Sequence, residues 1–162
     1  MLENKVKYSI DTSAILWLHN DYYPQDVFPT LWEKIESLIK NGELKAIEIV
    51  LEELKGNEDN AYKWAKQQQR LFLPFDEKVE STAQTIRKSY YKTKDKNSEK
   101  DRADPFVIAL AKQHGATVVS AEKRRGTQEA ENKNPSIPFI CEKLEIGHVN
   151  VLEFIRTEKW SF

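Results

Sequence analysis

The chain has 162 residues, of which 40% are hydrophobic, so it is long enough to bury a sizeable core in one globular domain. Its 26 acidic and 25 basic side chains give a formal net charge of −1, which argues against a protein that binds nucleic acid through a general excess of basic charge. The single cysteine, Cys141, excludes an intrachain disulfide bond and fits a reducing compartment.

No segment has the composition of a secretion signal or of a membrane span. Residues 2–8 include two lysines, and no window approaches the roughly 18 apolar residues that a membrane helix needs. We therefore expect a cytoplasmic protein that makes no membrane contact. The three histidines, His19, His114 and His148, lie far apart and show no metal-ligand spacing, while His114-Gly115 is typical of the end of a helix.

Strand and helix signals alternate along the chain. In chain order they predict a strand at 6–10, a helix at about 12–19, a helix at 29–40, a strand at 46–49, one or two helical turns at 50–55, a polar helix at 59–70, a strand at 71–74, a helix with an apolar face over 79–90, a helix at 105–114, a strand at 117–120, a strand at 149–152 and a terminal helix. Loops are predicted at 19–29, 92–102 and 124–136.

This alternation predicts an α/β fold, because strands separated by helices form parallel sheets covered on both faces. We expect a three-layer α/β/α sandwich whose mainly parallel central sheet has four to five strands. Neither side of the polar segment 92–102 is complete without the other, so residues 1–162 are expected to form one domain.

Acidic side chains follow three of the predicted strands. Asp11 follows the first strand, the pair Glu52-Glu53 follows the second, and Glu122 follows the strand at 117–120. A fourth acid, Asp104, precedes the helix that leads into that last strand. Ligands of open α/β sheets collect at the carboxyl ends of the strands, so these acids are candidates for a common site.

Each acid also has a structural interpretation. Asp11 or Thr12 could cap the first helix, and Asp104-Pro105 has the composition of an N-cap followed by the first helical residue. Glu122 could be a solvated loop charge. On a helical wheel, Glu52 lies about 200° around and opposite the apolar residues, whereas Glu53 lies at about 300°, on their border. Glu53 is therefore the member of the pair expected to face a cleft.

Taken together, four acids at one sheet edge would repel one another by several kcal/mol if they were unpaired at low dielectric. A bound divalent cation removes that repulsion. Ligands that are all hard oxygen atoms, with no histidine or thiol, favour Mg²⁺ or Mn²⁺.

The ordered motifs YSIDTSAIL, VLEEL and ADPFVIALAKQHGATVVSAE resemble the PIN domain, a family of metal-dependent nucleases that includes the VapC toxins of bacterial toxin–antitoxin pairs. The segments YYPQDVFPTLW and IPFICEKL are similar to a less studied bacterial branch of PIN-like proteins. The resemblance implies catalytic and metal-binding roles for Asp11, Glu53, Asp104 and Glu122. Ser120-Ala121-Glu122 departs from the family's Thr-x-Asp pattern at the fourth acid.

The resemblance also implies an endoribonuclease, most simply the toxin of a type II pair, that uses one or two Mg²⁺ or Mn²⁺ ions. Its expected partners are an RNA substrate, a cognate antitoxin protein and a second copy of the chain. The side chains expected to orient the acids are Thr12, Ser13 and Ser120. The side chains expected to contact RNA phosphates are Arg102, Lys123, Arg124 and Arg125.

Three alternatives stay open at this point. The chain could be a PIN-like RNA-processing nuclease that is not a toxin, or a PIN-like domain that binds RNA or a partner without cutting. It could also be a receiver-like signalling domain, in which Asp76 after the third strand would be the phosphorylated residue. Trp17, Tyr22 and Tyr23 could stack on bases, although packing in the core is their simpler use.

Overall fold

The computed structural model describes residues 5–56, 59–91, 103–122 and 135–162. In these residues five parallel strands form one sheet in the order β3-β2-β1-β4-β5. The strands are β1 (Tyr8–Ile10), β2 (Leu44–Ile47), β3 (Phe72–Leu73), β4 (Thr117–Val119) and β5 (His148–Val149). The three-layer α/β fold with a mainly parallel sheet is therefore confirmed.

Helices connect the strands. They are α1 (Thr12–Leu16), a π-helical turn (Trp17–Tyr22), α2 (Pro29–Lys40), α3 (Ile49–Lys55), α4 (Asn60–Gln67), α5 (Glu77–Tyr90), α6 (Asp104–His114), α7 (Ile137–Lys143) and α8 (Val151–Thr157). Within the described ranges, no helix combines the length and apolar character that crossing a membrane requires.

Local sequence signals explain where several helices begin and end. The Asp59 side chain accepts a hydrogen bond from the Tyr62 N–H and caps α4, and the Asp76 side chain accepts one from the Val79 N–H and caps α5. Gly115 ends α6 in the left-handed conformation, with φ of 63°, as the His114-Gly115 pair predicts. The buried residues of α5 are Val79, Ala83 and Ile86, which belong to the predicted apolar face.

Several predicted boundaries are wrong. The helix expected at 12–19 ends as α1 at Leu16, and the π-helical turn then occupies the start of the expected loop at 19–29. The strand expected at 46–49 begins two residues earlier, at Leu44. It also ends earlier, at Ile47, because Ile49 already belongs to α3. The polar helix expected at 59–70 is shorter, at Asn60–Gln67. The third strand is likewise shorter than expected.

The largest errors concern the end of the chain. The strand expected at 149–152 is only His148–Val149, because Asn150 caps α8 with a reciprocal pair of hydrogen bonds to Glu153. The helix α7 lies in a segment where we predict no helix. The predicted loop at 92–102, and most of the one at 124–136, lie outside the described residues.

The strand order decides where a ligand would bind. Chain connections run in opposite directions from β1 and β4, so the crevice beyond their carboxyl ends is the switch point of the sheet. A receiver-like sheet has the order 2-1-3-4-5, which differs from the order observed. Asp76 follows the edge strand β3 rather than a strand at the switch point, so the receiver-like alternative is wrong in strand order and in the place of its acid.

Candidate active site

Three carboxylates meet at the switch point. One oxygen atom from each of Asp11, Asp104 and Glu122 lies within 4.8 Å of the others. Asp11 follows β1, Glu122 follows β4, and Asp104 begins α6, whose N-terminus lies at the same edge. Asp11 and Asp104 are 3% and 4% exposed, so two of the three acids are buried.

Asp11 is held by its own turn of chain. Its N–H donates to the Val119 carbonyl at 2.9 Å, and its Oδ2 accepts from the Ser13 hydroxyl at 2.6 Å and from the Ser13 N–H at 3.3 Å. It therefore caps α1, as one interpretation of the sequence predicts. Its other oxygen, Oδ1, is buried and accepts no hydrogen bond from the described residues.

Burial decides the protonation behaviour of Asp11. Removal from water raises the pKa of this carboxyl, and the hydrogen bonds from Ser13 oppose the rise only in part. A buried carboxylate with one unsatisfied oxygen is costly in a polypeptide alone. A cation beside Oδ1 would satisfy it.

Asp104 is not the cap of α6. The carbonyl of Ala103 accepts the first helical hydrogen bonds, from the Phe106 N–H at 2.9 Å and the Val107 N–H at 3.0 Å. Ala103 is thus the N-cap and Asp104 the first helical residue, so the prediction that Asp104 caps the helix is wrong. The Ser9 hydroxyl donates to the Val107 carbonyl at 2.9 Å and ties this end of α6 to β1.

Glu122 is half-buried rather than a freely solvated loop charge, so that interpretation is also wrong. Its Oε2 accepts a hydrogen bond of 2.8 Å from the N–H of Ile137, the first residue of α7. The Ser136 hydroxyl caps the same helix through the Phe139 N–H. The helix that sequence reasoning missed therefore positions a predicted site residue.

Glu53 reaches the site through a neighbour. Thr12 is next to Asp11 in the chain, and its hydroxyl donates a hydrogen bond of 2.6 Å to Glu53 Oε1. Glu53 is half-buried and Glu52 is exposed, as the helical wheel predicts. Glu53 does not belong to the group of three acids that lie within 4.8 Å of one another in the described structure.

The two predicted serines have different partners. The Ser13 hydroxyl donates to Asp11 and accepts from the Ala121 N–H at 3.0 Å, so it joins the ends of β1 and β4. The Ser120 hydroxyl lies 2.7 Å from Nε2 of His148 instead of a carboxylate. Sequence reasoning missed His148, because a single histidine on the adjacent strand β5 has no spacing signal.

The donor set fits a hard divalent cation. The converging atoms are carboxylate oxygens, and Asp11 Oδ1 is buried without another partner in the described residues. Cys141 is buried, its burial and the charge of Glu122 raise the pKa of its thiol to about 12, and it does not belong to the described group of three acids. The predicted phosphate contacts Arg102, Lys123, Arg124 and Arg125 lie outside the described residues and stay predictions.

Several solved structures resemble the chain, and two of them illustrate the likeness. The crystal structure of FitAcB from Neisseria gonorrhoeae matches 88% of this chain and 96% of that chain, with 22% sequence identity and a TM-score of 0.50. The crystal structure of DNA-bound VapBC from Salmonella typhimurium matches 90% of this chain and 98% of that chain, with 14% identity and a TM-score of 0.49. The FitAcB likeness agrees with the predicted PIN-like fold.

The sequence itself gives the family. No curated protein matches the chain significantly. The family model described as a domain of unknown function, DUF4411, matches residues 8–162. This match includes every described strand and all three clustered acids, and the chain belongs to the DUF4411 family.

Proposed function

We propose that this protein is a metal-dependent endoribonuclease that hydrolyses RNA phosphodiester bonds. The observation that carries the proposal is the meeting of Asp11, Asp104 and Glu122 at the switch point, with a buried Asp11 oxygen that accepts no hydrogen bond from a described residue. Mutual repulsion makes such a cluster unfavourable without a cation. The choice of phosphodiester hydrolysis as the reaction, and of RNA as the substrate, rests on the resemblance of the motifs to PIN nucleases.

The three clustered acids would hold Mg²⁺ or Mn²⁺, and Glu53 would complete the site from the side of Thr12. The ion would polarise the phosphodiester and favour deprotonation of the attacking water. The protein fixes its acids beforehand: Ser13 orients Asp11, Thr12 orients Glu53, and the N–H of Ile137 orients Glu122.

The acids repel the substrate phosphates, so basic side chains must flank them. Arg102 precedes Asp104 by two positions, and Lys123, Arg124 and Arg125 follow Glu122 directly. We propose that these four side chains contact the RNA backbone.

Replacement of Asp104 by asparagine tests the proposal. Because Asp104 is not the helix cap, Asp104→Asn should fold like the wild type, whereas a neutral amide is a poor ligand for a hard cation. We expect a loss of RNA cleavage of roughly 100-fold or more with Mn²⁺. Cleavage is measured on labelled single-stranded RNA, with Glu52→Gln as the matched control, because Glu52 is an exposed carboxylate outside the cluster. Near-wild-type cleavage by Asp104→Asn would contradict the assignment.

We further propose that the nuclease is the toxin of a type II toxin–antitoxin pair. Its partners would be an antitoxin protein and a second copy of the chain. The similarity of its motifs to VapC toxins supports this role. Induction in bacteria should then arrest growth, and Asp11→Ala should relieve the arrest at equal expression. Unaffected growth in the presence of active enzyme would favour an RNA-processing nuclease instead, and a folded protein without any cleavage would favour a binding domain.

A further inference from the structure

We propose that a cavity beside Glu122 binds one base of the RNA strand, next to the bond that is cut. This inference rests on the proposed function and deepens it, because it assigns a base-recognition site to residues outside the acidic cluster. The cavity has a volume of about 480 Å³ and shares Glu122 with the cluster. A ligand in it would therefore be adjacent to a phosphate held at the acids.

The lining of the cavity selects an uncharged, flat ligand. Its two charged side chains among the described residues are Glu122 and Glu153, both acidic, so a phosphate would be repelled. The apolar part comes from Trp17, Pro138 and Leu152, and Leu152 is 45% exposed although it is apolar. The indole ring of Trp17 is the kind of aromatic surface on which single-stranded bases stack.

The π-helical turn presents the aromatic wall. The Tyr23 N–H donates to the Leu18 carbonyl, five residues earlier, at 2.8 Å. In such a wide turn residues five apart share a face, and the rings of Trp17 and Tyr22 stack with centroids 4.2 Å apart. Trp17 is thereby held in place before a ligand arrives, which lowers the entropic cost of stacking. Turns of π-helix are rare in proteins, and those that occur are often found at functional sites.

His148 supplies a polar group to the same cavity. Its Nε2 lies 2.7 Å from the hydroxyl of Ser120, which is fully buried, so the ring is anchored to the residue that follows β4. The hydrogen bond that His148 makes with a described residue is through Nε2, which leaves Nδ1 for the edge of a base. Burial lowers the pKa of His148, which keeps the ring neutral and suits it to a hydrogen bond with an uncharged base.

A cycle that pairs a protein change with a base change tests the proposal. The probe is a short single-stranded RNA that the wild type cuts at one bond, with each position in turn made abasic. Binding is measured by fluorescence anisotropy with Mg²⁺ in an Asp104→Asn background, which should bind without cutting. One abasic position adjacent to the cut should weaken binding about tenfold. In the additional variant Trp17→Leu, the same abasic position should cost nothing more.

Two further variants keep the test decisive. Trp160→Leu is the matched control, because Trp160 is a half-buried tryptophan that packs on Phe154 and does not line the cavity. Leu152→Asp replaces an exposed side chain of the cavity, so it should fold even if Trp17→Leu does not. It should remove the same base dependence, whereas Val27→Asp, at another exposed apolar position, should leave it intact.

The outcomes separate this inference from the proposed function. Cleavage by the wild type together with an abasic penalty that persists in Trp17→Leu and Leu152→Asp would overturn the base site and leave the nuclease standing. The base site would also be overturned if no abasic position weakens RNA binding. It would be overturned as well if the cavity variants weaken binding of a partner protein and leave RNA binding unchanged. Absence of both cleavage and RNA binding would overturn the two proposals together.

Discussion

At the scale of single residues, Asp11 is a buried carboxylate in an unfavourable environment. It is 3% exposed, and its Oδ1 accepts no hydrogen bond from any described residue. Burial raises the pKa of this group, so the ionised form destabilises the metal-free native state at neutral pH. Relative to the unfolded chain, this cost is absent below the ordinary aspartate pKa and grows until the pH has passed the folded-state pKa of Asp11.

We therefore predict that Asp11→Asn stabilises the metal-free protein. Asparagine keeps the oxygen that Ser13 contacts but carries no charge, and the gain should be about 1 kcal/mol at neutral pH. Thermal unfolding in a chelator measures the gain, which should shrink at acidic pH, where wild-type Asp11 is itself protonated. A variant less stable than the wild type in chelator would mean that the Asp11 charge is satisfied in the native state.

How far the sequence predicts a residue's position depends on the range of the contact. The orientations of Glu52 and Glu53 follow from helical periodicity alone, and both agree with the structure. The contact between Ser120 and His148 joins positions 28 apart on neighbouring strands, so no local pattern contains it. Thr12 is expected from the sequence to orient an acid, but its partner Glu53 is 41 positions away, so for the same reason no local pattern identifies that pair.

At the scale of elements, α7 shows which signal was overlooked. Ser136 as the N-cap, followed by Pro138 in the first turn, is a regular helix start, but the helix has only seven residues. Short helices take most of their stability from tertiary packing, which a local pattern does not show. Here the packing includes the buried Ile137, Ile140 and Cys141.

The start of α7 gives a prediction about Glu122, whose carboxylate accepts the Ile137 N–H as well as facing the other acids. Glu122→Gln keeps an acceptor oxygen and should unfold in chelator at nearly the wild-type temperature. Glu122→Ala leaves that N–H without its acceptor and should be about 1 kcal/mol less stable. Both should lose the stabilisation by Mn²⁺. Equal stability of the two variants in chelator would show that the hydrogen bond to Ile137 contributes nothing.

At the scale of the whole molecule, the topology is what makes a site from scattered acids. Alternation of strands and helices is sufficient to predict a parallel sheet, and a parallel sheet places its carboxyl ends on one edge. The order β3-β2-β1-β4-β5 is set by long-range packing, and it makes β1 and β4 neighbours although more than 100 residues separate them. Asp11 and Glu122 therefore meet, whereas Glu53, beyond β2, lies outside the group of three.

Because the three clustered acids come from three separate segments, a bound cation would link the ends of β1 and β4 to the start of α6. Unfolding separates these segments and destroys the site, so metal binding should stabilise the native state alone. Mn²⁺ at 100 times its dissociation constant should add about 2.7 kcal/mol. For a chain of this length that corresponds to a rise in melting temperature of roughly 5–10 °C. Differential scanning fluorimetry should show the rise in the wild type and in Glu52→Gln, its reversal by chelator, and its absence in Asp11→Asn. If saturating Mn²⁺ leaves the wild-type melting temperature unchanged, the acids do not form a metal centre, and their proximity needs a different explanation.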